Sequence, residues 1–168
     1  MLYFLKWDYN AIFQKLSRKD VALAFVLCIG YIIYATLMGD FLHYFGIDPG
    51  NFGGQQVTLW TFVPLPFSLM TEEFVKFVPF MFFLRVIYKY SDNRKLSVIL
   101  SMIITMIFFA FIHTFSWQLF IFTIWIQGFG SIFEFIGYIK TKNILVSYLT
   151  HIFSDFIFYG IAFMGLSL

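Results

Sequence analysis

LSVILSMIITMIFFAFIHT, residues 96–114, is the stretch of sequence that decides the fold. It contains no Asp, Glu, Lys or Arg, and its length is close to the roughly 20 apolar residues that an α-helix needs to cross the hydrocarbon core of a bilayer. Only 12% of the 168 residues are charged, whereas a soluble domain carries about 25%. Further apolar stretches lie at about residues 21–45, 59–88, 118–139 and 144–168. The sequence therefore predicts an all-α, polytopic helical membrane protein with about five transmembrane helices.

Basic residues mark the ends of the predicted spans. Cytoplasmic loops of membrane proteins carry an excess of Lys and Arg. We therefore predict a multi-pass protein of a cell membrane, with a cytoplasmic N-terminus and the C-terminus on the opposite side. The small size and the Phe- and Ile-rich composition favour a bacterial cytoplasmic membrane. Ten of the eleven Lys and Arg residues obey this orientation: Lys6, Lys15, Arg18, Lys19, Arg85, Lys89, Arg94, Lys95, Lys140 and Lys142.

Residues 1–20 differ from the rest of the chain, because basic and apolar side chains alternate there. This pattern favours an interfacial amphipathic segment, helical and lying in the membrane surface. A basic arm that binds a partner is the alternative. Residues 21–168 then form a single transmembrane domain, whose core begins at about residue 59.

Ionisable residues inside the apolar stretches are the candidates for function, because each costs at least a few kcal/mol in a membrane unless it faces the bundle interior. Lys76 lies four residues after Glu72 and three after Glu73, so all three share a helix face. Lys76 can neutralise one carboxylate and leave the other free to exchange a proton. His151 and Asp155 are also four apart, and an aspartate can hold an imidazole in one tautomer. The full set is Glu72, Glu73, Lys76, His113, Glu134, His151 and Asp155.

Structural interpretations compete with these functional ones. The Glu–Lys pair can be a neutralised contact between helices, and His151 with Asp155 can be an interhelical clamp. His113 alone fits a buried histidine that makes hydrogen bonds. Glu134 is expected to reach water near the cytoplasmic end of its span, so we set it aside as a bystander.

Three short segments resemble the motifs of one family. They are TEEFVKF (residues 71–77), FAFIH (109–113) and HIFSD (151–155), in that order on separate predicted helices. They resemble the CPBP group, also called Abi, the CAAX-protease and bacteriocin-processing intramembrane glutamic endopeptidases. The Gly-rich stretch GSIFEFIGYIKTKNILVSYLTHIFSD (130–155) is similar to the last part of that family. The similarity covers about residues 64–159.

One motif departs from the family pattern. The family has EExxxR, and Phe77 stands at the arginine position, so the basic residue here is Lys76. This EExxK form looks like that of the related PrsW-type proteases. Those proteases usually carry a glutamate in the second motif, where this chain has His113. The chain therefore resembles the wider superfamily and is nearer to the CPBP group.

The resemblance implies a four-helix catalytic core and hydrolysis of a peptide bond in a membrane-associated protein or peptide. Such substrates include bacteriocin or pheromone precursors and CAAX-type proteins. The implied partners are that substrate and the lipid bilayer, without nucleic acid, cofactor or metal, and the oligomeric state is left open. The resemblance also implies a role for each residue. Glu72 would be the base that activates water, supported by Glu73, and His113 would position the water or the substrate carbonyl. His151 would stabilise the oxyanion and be oriented by Asp155, and Lys76 would be the cation that tunes the Glu pair.

Three other functions remain open at this point. A metal-dependent membrane hydrolase is possible because Glu, His and Asp are all metal ligands, although no HExxH motif is present. A non-proteolytic bacteriocin immunity or interaction protein could keep the same fold. A proton-coupled transporter could use the same buried groups.

The predicted topology also raises a question of depth. It places His113 roughly 25 Å from the inner boundary, the Glu pair at mid-span and His151 nearer the inner end. A single catalytic centre requires all of them at one level.

Overall fold

The computed structural model describes residues 10, 12–47, 57–114 and 117–165, and within these ranges every regular element is a helix. The predicted all-α class is confirmed. A 3₁₀ turn, Leu59–Phe62, precedes the second helix. The α-helices are α1 (Arg18–Tyr44), α2 (Leu65–Ser91), α3 (Arg94–Ile112), α4 (Trp117–Thr123), α5 (Ile132–Thr141) and α6 (Ile144–Phe163).

In the part of the chain that the structure describes, four helical segments are long and apolar enough to cross a membrane: Arg18–Tyr44, Arg94–Ile112, Leu119–Thr141 and Ile144–Phe163. The helix α2 has the same 27-residue length as α1 and is about 40 Å long. It differs from the other four because its first half carries Glu72, Glu73 and Lys76. Four helices of this kind, with α2 as the fifth candidate, support a multi-pass membrane protein.

Polar side chains set the helix boundaries. Ser17 and Asp20 form a capping box at the start of α1, in which each side chain accepts a hydrogen bond from the other's backbone N–H. Such boxes satisfy donors that have no partner inside the helix. Asn93 and Asn143 cap α3 and α6 in a similar way. The short connections at 92–93 and 142–143 therefore end one helix and begin the next.

The N-terminal segment is anchored to the α5–α6 connection. Residues 13–17 are not helical, and the first long helix begins only at Arg18. The Ile12 carbonyl accepts a hydrogen bond from the Ile144 N–H at 2.9 Å. The Asn143 side chain contacts both backbone groups of Gln14, at 3.2 and 2.9 Å. These bonds use backbone groups that a helix would need, which explains the extended course where an amphipathic helix was expected. Residues 1–9 and 11 lie outside the described residues, so the interfacial placement of segment 1–20 stays a prediction.

The predicted span 118–139 is not a continuous α-helix. A π-helical turn, Ile124–Gly128, and a 3₁₀ turn, Phe129–Ser131, separate α4 from α5. A Cβ on Gly128 would lie 2.9 Å from the Met106 carbonyl oxygen of α3, so this backbone approaches α3 too closely for a larger residue. The Tyr34 hydroxyl of α1 donates to the Trp125 carbonyl at 2.7 Å. Together these contacts fix the start of α5 between α1 and α3.

An aromatic cluster holds α2 against α5. The ring centroids of Phe77 and Tyr138 are 4.6 Å apart, and those of Phe80 and Phe135 are 5.0 Å apart. Met106 of α3 and Ile144 of α6 complete this buried core. The core lies immediately after Lys76 along α2, so it fixes the position of the ionisable residues.

Candidate active site

The structure brings the predicted site residues together from three helices. Glu72 Oε2 lies 3.7 Å from Nε2 of His113, the residue that ends α3. The same Glu72 oxygen lies 3.9 Å from Nε2 of His151 on α6. Asp155 Oδ1 lies 3.9 Å from that imidazole nitrogen. Glu73 and Lys76 of α2 contact His151 from its other side. All six residues therefore belong to one cluster.

The lengths of α2 and α3 place Glu72 and His113 at the same depth. Glu72 lies 19 residues before the end of α2, and His113 lies 19 residues after the start of α3. Because a two-residue connection joins these helices, both side chains lie about 28 Å from that connection. The Glu pair is therefore near the far end of α2, level with His113, and not at mid-span as the sequence suggested.

His151 reaches the same level although it is only seven residues into α6. Phe13, which runs beside the α5–α6 connection, packs its ring against Phe74 of α2 at 6.2 Å. The Tyr148 hydroxyl of α6 donates to the Pro66 carbonyl at 3.0 Å. The first turns of α6 therefore meet the first half of α2, far from the α2–α3 connection.

Lys76 is the cation at the centre of a buried group. Its Nζ lies 2.5 Å from Glu73 Oε1 and forms an ion pair with Glu134 Oε2. It also lies 3.3 Å from His151 Nδ1 and 5.0 Å from the centroid of the Phe109 ring. A buried ammonium is stable only with such partners, and two carboxylates on separate helices provide them.

Glu73 is held in place by three side chains. It is 0% exposed, and its Oε2 accepts a hydrogen bond from Ser147 Oγ at 2.6 Å. Its Oε1 lies 2.9 Å from His151 Nδ1 as well as against Lys76. Glu73 is thus closer to His151 than Asp155 is, and it fixes the ring with Nε2 turned toward Glu72 and Asp155.

Glu72 lies in a more open environment than Glu73. Its side chain is 30% exposed, and those of His113 and Asp155 are 25% and 24% exposed. His113 Nδ1 lies 2.7 Å from the Phe109 carbonyl. A carbonyl only accepts, so Nδ1 carries a proton and donates it, and Nε2 is the ring nitrogen that faces Glu72. A water molecule can bridge two polar atoms that are 3.7 Å apart, as Glu72 Oε2 and His113 Nε2 are.

Glu134 is the site residue that sequence reasoning missed. It was expected to reach water, but it is only 8% exposed and contacts Lys76. The reason is the interrupted helix before it, which begins α5 at Ile132 and places Glu134 in its first turn. The sequence contained one signal for this contact. Lys76 is the one Lys or Arg away from the ends of the predicted spans, so several buried acidic residues have to share it.

Phe77, at the position where the family has arginine, is 0% exposed within the aromatic core. Residue 76 lies about 100° around the helix from it, and there Lys76 meets Glu134. The lysine at position 76 and the buried carboxylate of Glu134 therefore occur together.

Within the described part of the chain, Glu73, Glu134 and His151 have atoms close enough to hold a metal ion, all within 4.8 Å of one another. The Lys76 ammonium lies among the same atoms, and its positive charge opposes a divalent cation there. The geometry thus favours an internal lysine over a metal at this position.

The chain matches no protein-family model, and comparisons with curated proteins and with solved structures found no significant match.

Proposed function

We propose that this protein is an intramembrane glutamic-type endopeptidase that hydrolyses a peptide bond in a membrane-associated protein or peptide. The observation that carries the proposal is the contrast between two adjacent carboxylates. Glu73 is fully buried and bound to Lys76 and Ser147. Glu72 is half-exposed and faces imidazole nitrogens from two other helices. A general base needs this kind of access to water and substrate.

The proposed reaction begins with a water molecule beside Glu72. Glu72 removes a proton from that water while His113, fixed by the Phe109 carbonyl, positions it. The water oxygen then attacks the carbonyl carbon of the substrate. The tetrahedral intermediate collapses when Glu72 transfers the proton to the leaving amine nitrogen, so that the base is regenerated.

His151 is proposed to stabilise the negative charge on the substrate oxygen. Its Nδ1 faces Glu73 at 2.9 Å, and its Nε2 faces Glu72, the more exposed carboxylate, at 3.9 Å. As an imidazolium it donates through Nδ1 to Glu73 and through Nε2 to the oxyanion. Oriented donors of this type each contribute about 10²–10³ in kcat.

Four apolar helices of spanning length support a substrate that reaches the site from the membrane. We further propose a cytoplasmic N-terminus, on the distribution of Lys and Arg. The small size and the Phe- and Ile-rich composition support the proposal of a bacterial cytoplasmic membrane.

The test is cleavage of membrane-anchored fluorogenic peptides by the full chain in liposomes. Glu72→Gln is expected to lower kcat by about 10²–10⁴-fold, the usual contribution of a general base. Asp40→Asn is the matched control, because Asp40 is an exposed acidic residue of α1 outside the cluster, and it is expected to retain full activity. Wild-type turnover in Glu72→Gln would overturn the proposal.

A chelator separates this mechanism from the metal-dependent alternative. Because the Lys76 ammonium lies among the atoms that could hold a metal, EDTA is expected to leave the cleavage rate unchanged. Loss of activity with EDTA and its recovery with zinc would contradict the metal-free mechanism.

A further inference from the structure

Two side-chain nitrogens lie against one carboxylate oxygen at the centre of the site. Lys76 Nζ lies 2.5 Å from Glu73 Oε1, and His151 Nδ1 lies 2.9 Å from the same atom. The lysine and imidazole nitrogens are themselves only 3.3 Å apart. With Glu73 alone as acceptor, the ammonium and the imidazole would compete for this oxygen.

Glu134 relieves that competition from a fourth helix. Its Oε2 forms an ion pair with Lys76, and its Oε1 lies 3.8 Å from His151 Nδ1. It therefore gives the ammonium a second carboxylate and adds negative charge on the side of the imidazole that faces Glu73. Glu134 comes from α5, whereas the residues of the motif set come from the end of α3 and from α2 and α6.

Carboxylates outnumber cationic groups around the His151 ring. Among the described residues, carboxylate oxygens from three helices lie within 3.9 Å of its ring nitrogens, and they belong to Glu72, Glu73, Glu134 and Asp155. The one ammonium that faces the ring is that of Lys76. Like Glu73, Glu134 contacts the ammonium and lies on the Nδ1 side of the ring, so we expect its removal to alter the position of both groups.

We propose that Glu134 is a positioning residue of this centre, which draws the Lys76 ammonium toward α5 so that Glu73 can orient the imidazole. Glu134 touches neither the proposed water nor the substrate carbonyl and acts through Lys76 and His151. Its effect on turnover rests on the proposed function, but its effect on the His151 ring does not.

The first readout is therefore spectroscopic. The full chain, labelled with ¹⁵N-histidine and held in detergent micelles, contains three imidazoles, and His43 and His113 are assigned by His→Gln variants. Glu134→Gln is expected to shift the ring resonances of His151 and to leave those of His43 in place. The double variant Lys76→Met/Glu134→Gln removes the competing ammonium as well and is expected to return the His151 resonances toward their wild-type positions.

The second readout is kinetic. Glu134→Gln is expected to lower kcat about 10-fold or more with little change in KM, as for a group that acts on transition-state stabilisation. The double variant is expected to recover part of that loss, a recovery that a merely structural role would not produce.

Unchanged His151 resonances in Glu134→Gln would overturn the proposal, and so would a double variant further from wild type than the single one. If Glu134→Gln does not fold, the double variant decides alone, since displaced His151 resonances there would contradict the proposed competition. A wild-type chain that cleaves no peptide while the resonances behave as expected would refute the endopeptidase function and leave the positioning role of Glu134 supported.

Discussion

The site has an inner half and an outer half, and they differ in burial and in the number of partners. The inner half, defined by Glu73, Lys76, Glu134 and His151, is buried and joined by short polar contacts. The outer half, defined by Glu72, His113 and Asp155, is partly exposed, and its side chains are 3.7–3.9 Å from their nearest ionisable neighbours. Adjacent residues in sequence, Glu72 and Glu73, thus fall in different halves. This difference teaches that two adjacent carboxylates of one helix can have opposite environments: Glu73 is fully buried with three polar partners, and Glu72 is 30% exposed.

Lys76→Met removes the cation of the inner half, and we expect it to have the largest effect on Tm. Two buried carboxylates would lose their shared cation, and breaking a buried ion pair costs about 3–5 kcal/mol. For a chain of this length that corresponds to a fall of roughly 10 °C in Tm, measured by thermal unfolding in detergent. Lys95→Met, at an exposed position near the start of α3, is the control and should leave Tm within about 2 °C. A Tm that Lys76→Met does not change would contradict the inner half as a stabilising unit.

His113→Gln removes an imidazole of the outer half, and we expect it to lower kcat more than it lowers stability. Losing the imidazole that positions water should lower kcat about 100-fold, the lower range for a group that assists proton transfer. The half-exposed side chain should cost less than about 1 kcal/mol of stability. The comparison needs both kcat and Tm on the same preparation. A large fall in Tm with normal kcat would place His113 among the structural residues.

Ser147→Ala tests one hydrogen bond of the inner half and is expected to lower Tm less than Lys76→Met does. It removes the 2.6 Å hydrogen bond to Glu73, a bond to a charged group worth about 1.5–3 kcal/mol. Ser154→Ala is a matched control on the same helix, because among the described residues its hydroxyl bonds to the His151 carbonyl and to no carboxylate. We expect a fall of about 5 °C in Tm for Ser147→Ala and a smaller one for the control. Equal effects would show that the contact to Glu73 contributes nothing specific.

The sequence predicted the helices and most of the cluster, for physical reasons that the structure makes clear. Apolar stretches of spanning length become helices wherever polar caps such as Ser17, Asn93 and Asn143 can end them. Residues such as Glu72 and His151 could be selected because ionisable groups within apolar spans must find partners. Those partners lie on other helices, which local spacing does not reveal.

Two features could not be predicted because they depend on contacts distant in sequence. Glu134 is buried because the π-helical and 3₁₀ turns before it set the start of α5, and such turns have no clear sequence signature. The extended course of residues 13–17 depends on Asn143, more than 120 residues away. An amphipathic pattern alone favours a helix there, and the tertiary hydrogen bonds override it.

The most direct test of the account compares Glu72→Gln with Glu73→Gln, each measured for both Tm and kcat in one membrane preparation. We predict that Glu72→Gln keeps Tm within about 2 °C and lowers kcat at least about 100-fold. Glu73→Gln should lower Tm by about 5–10 °C, because it weakens hydrogen bonds from Ser147, Lys76 and His151 to a charged acceptor. The account would be contradicted if Glu72→Gln lost stability but kept its turnover, or if the two variants behaved alike.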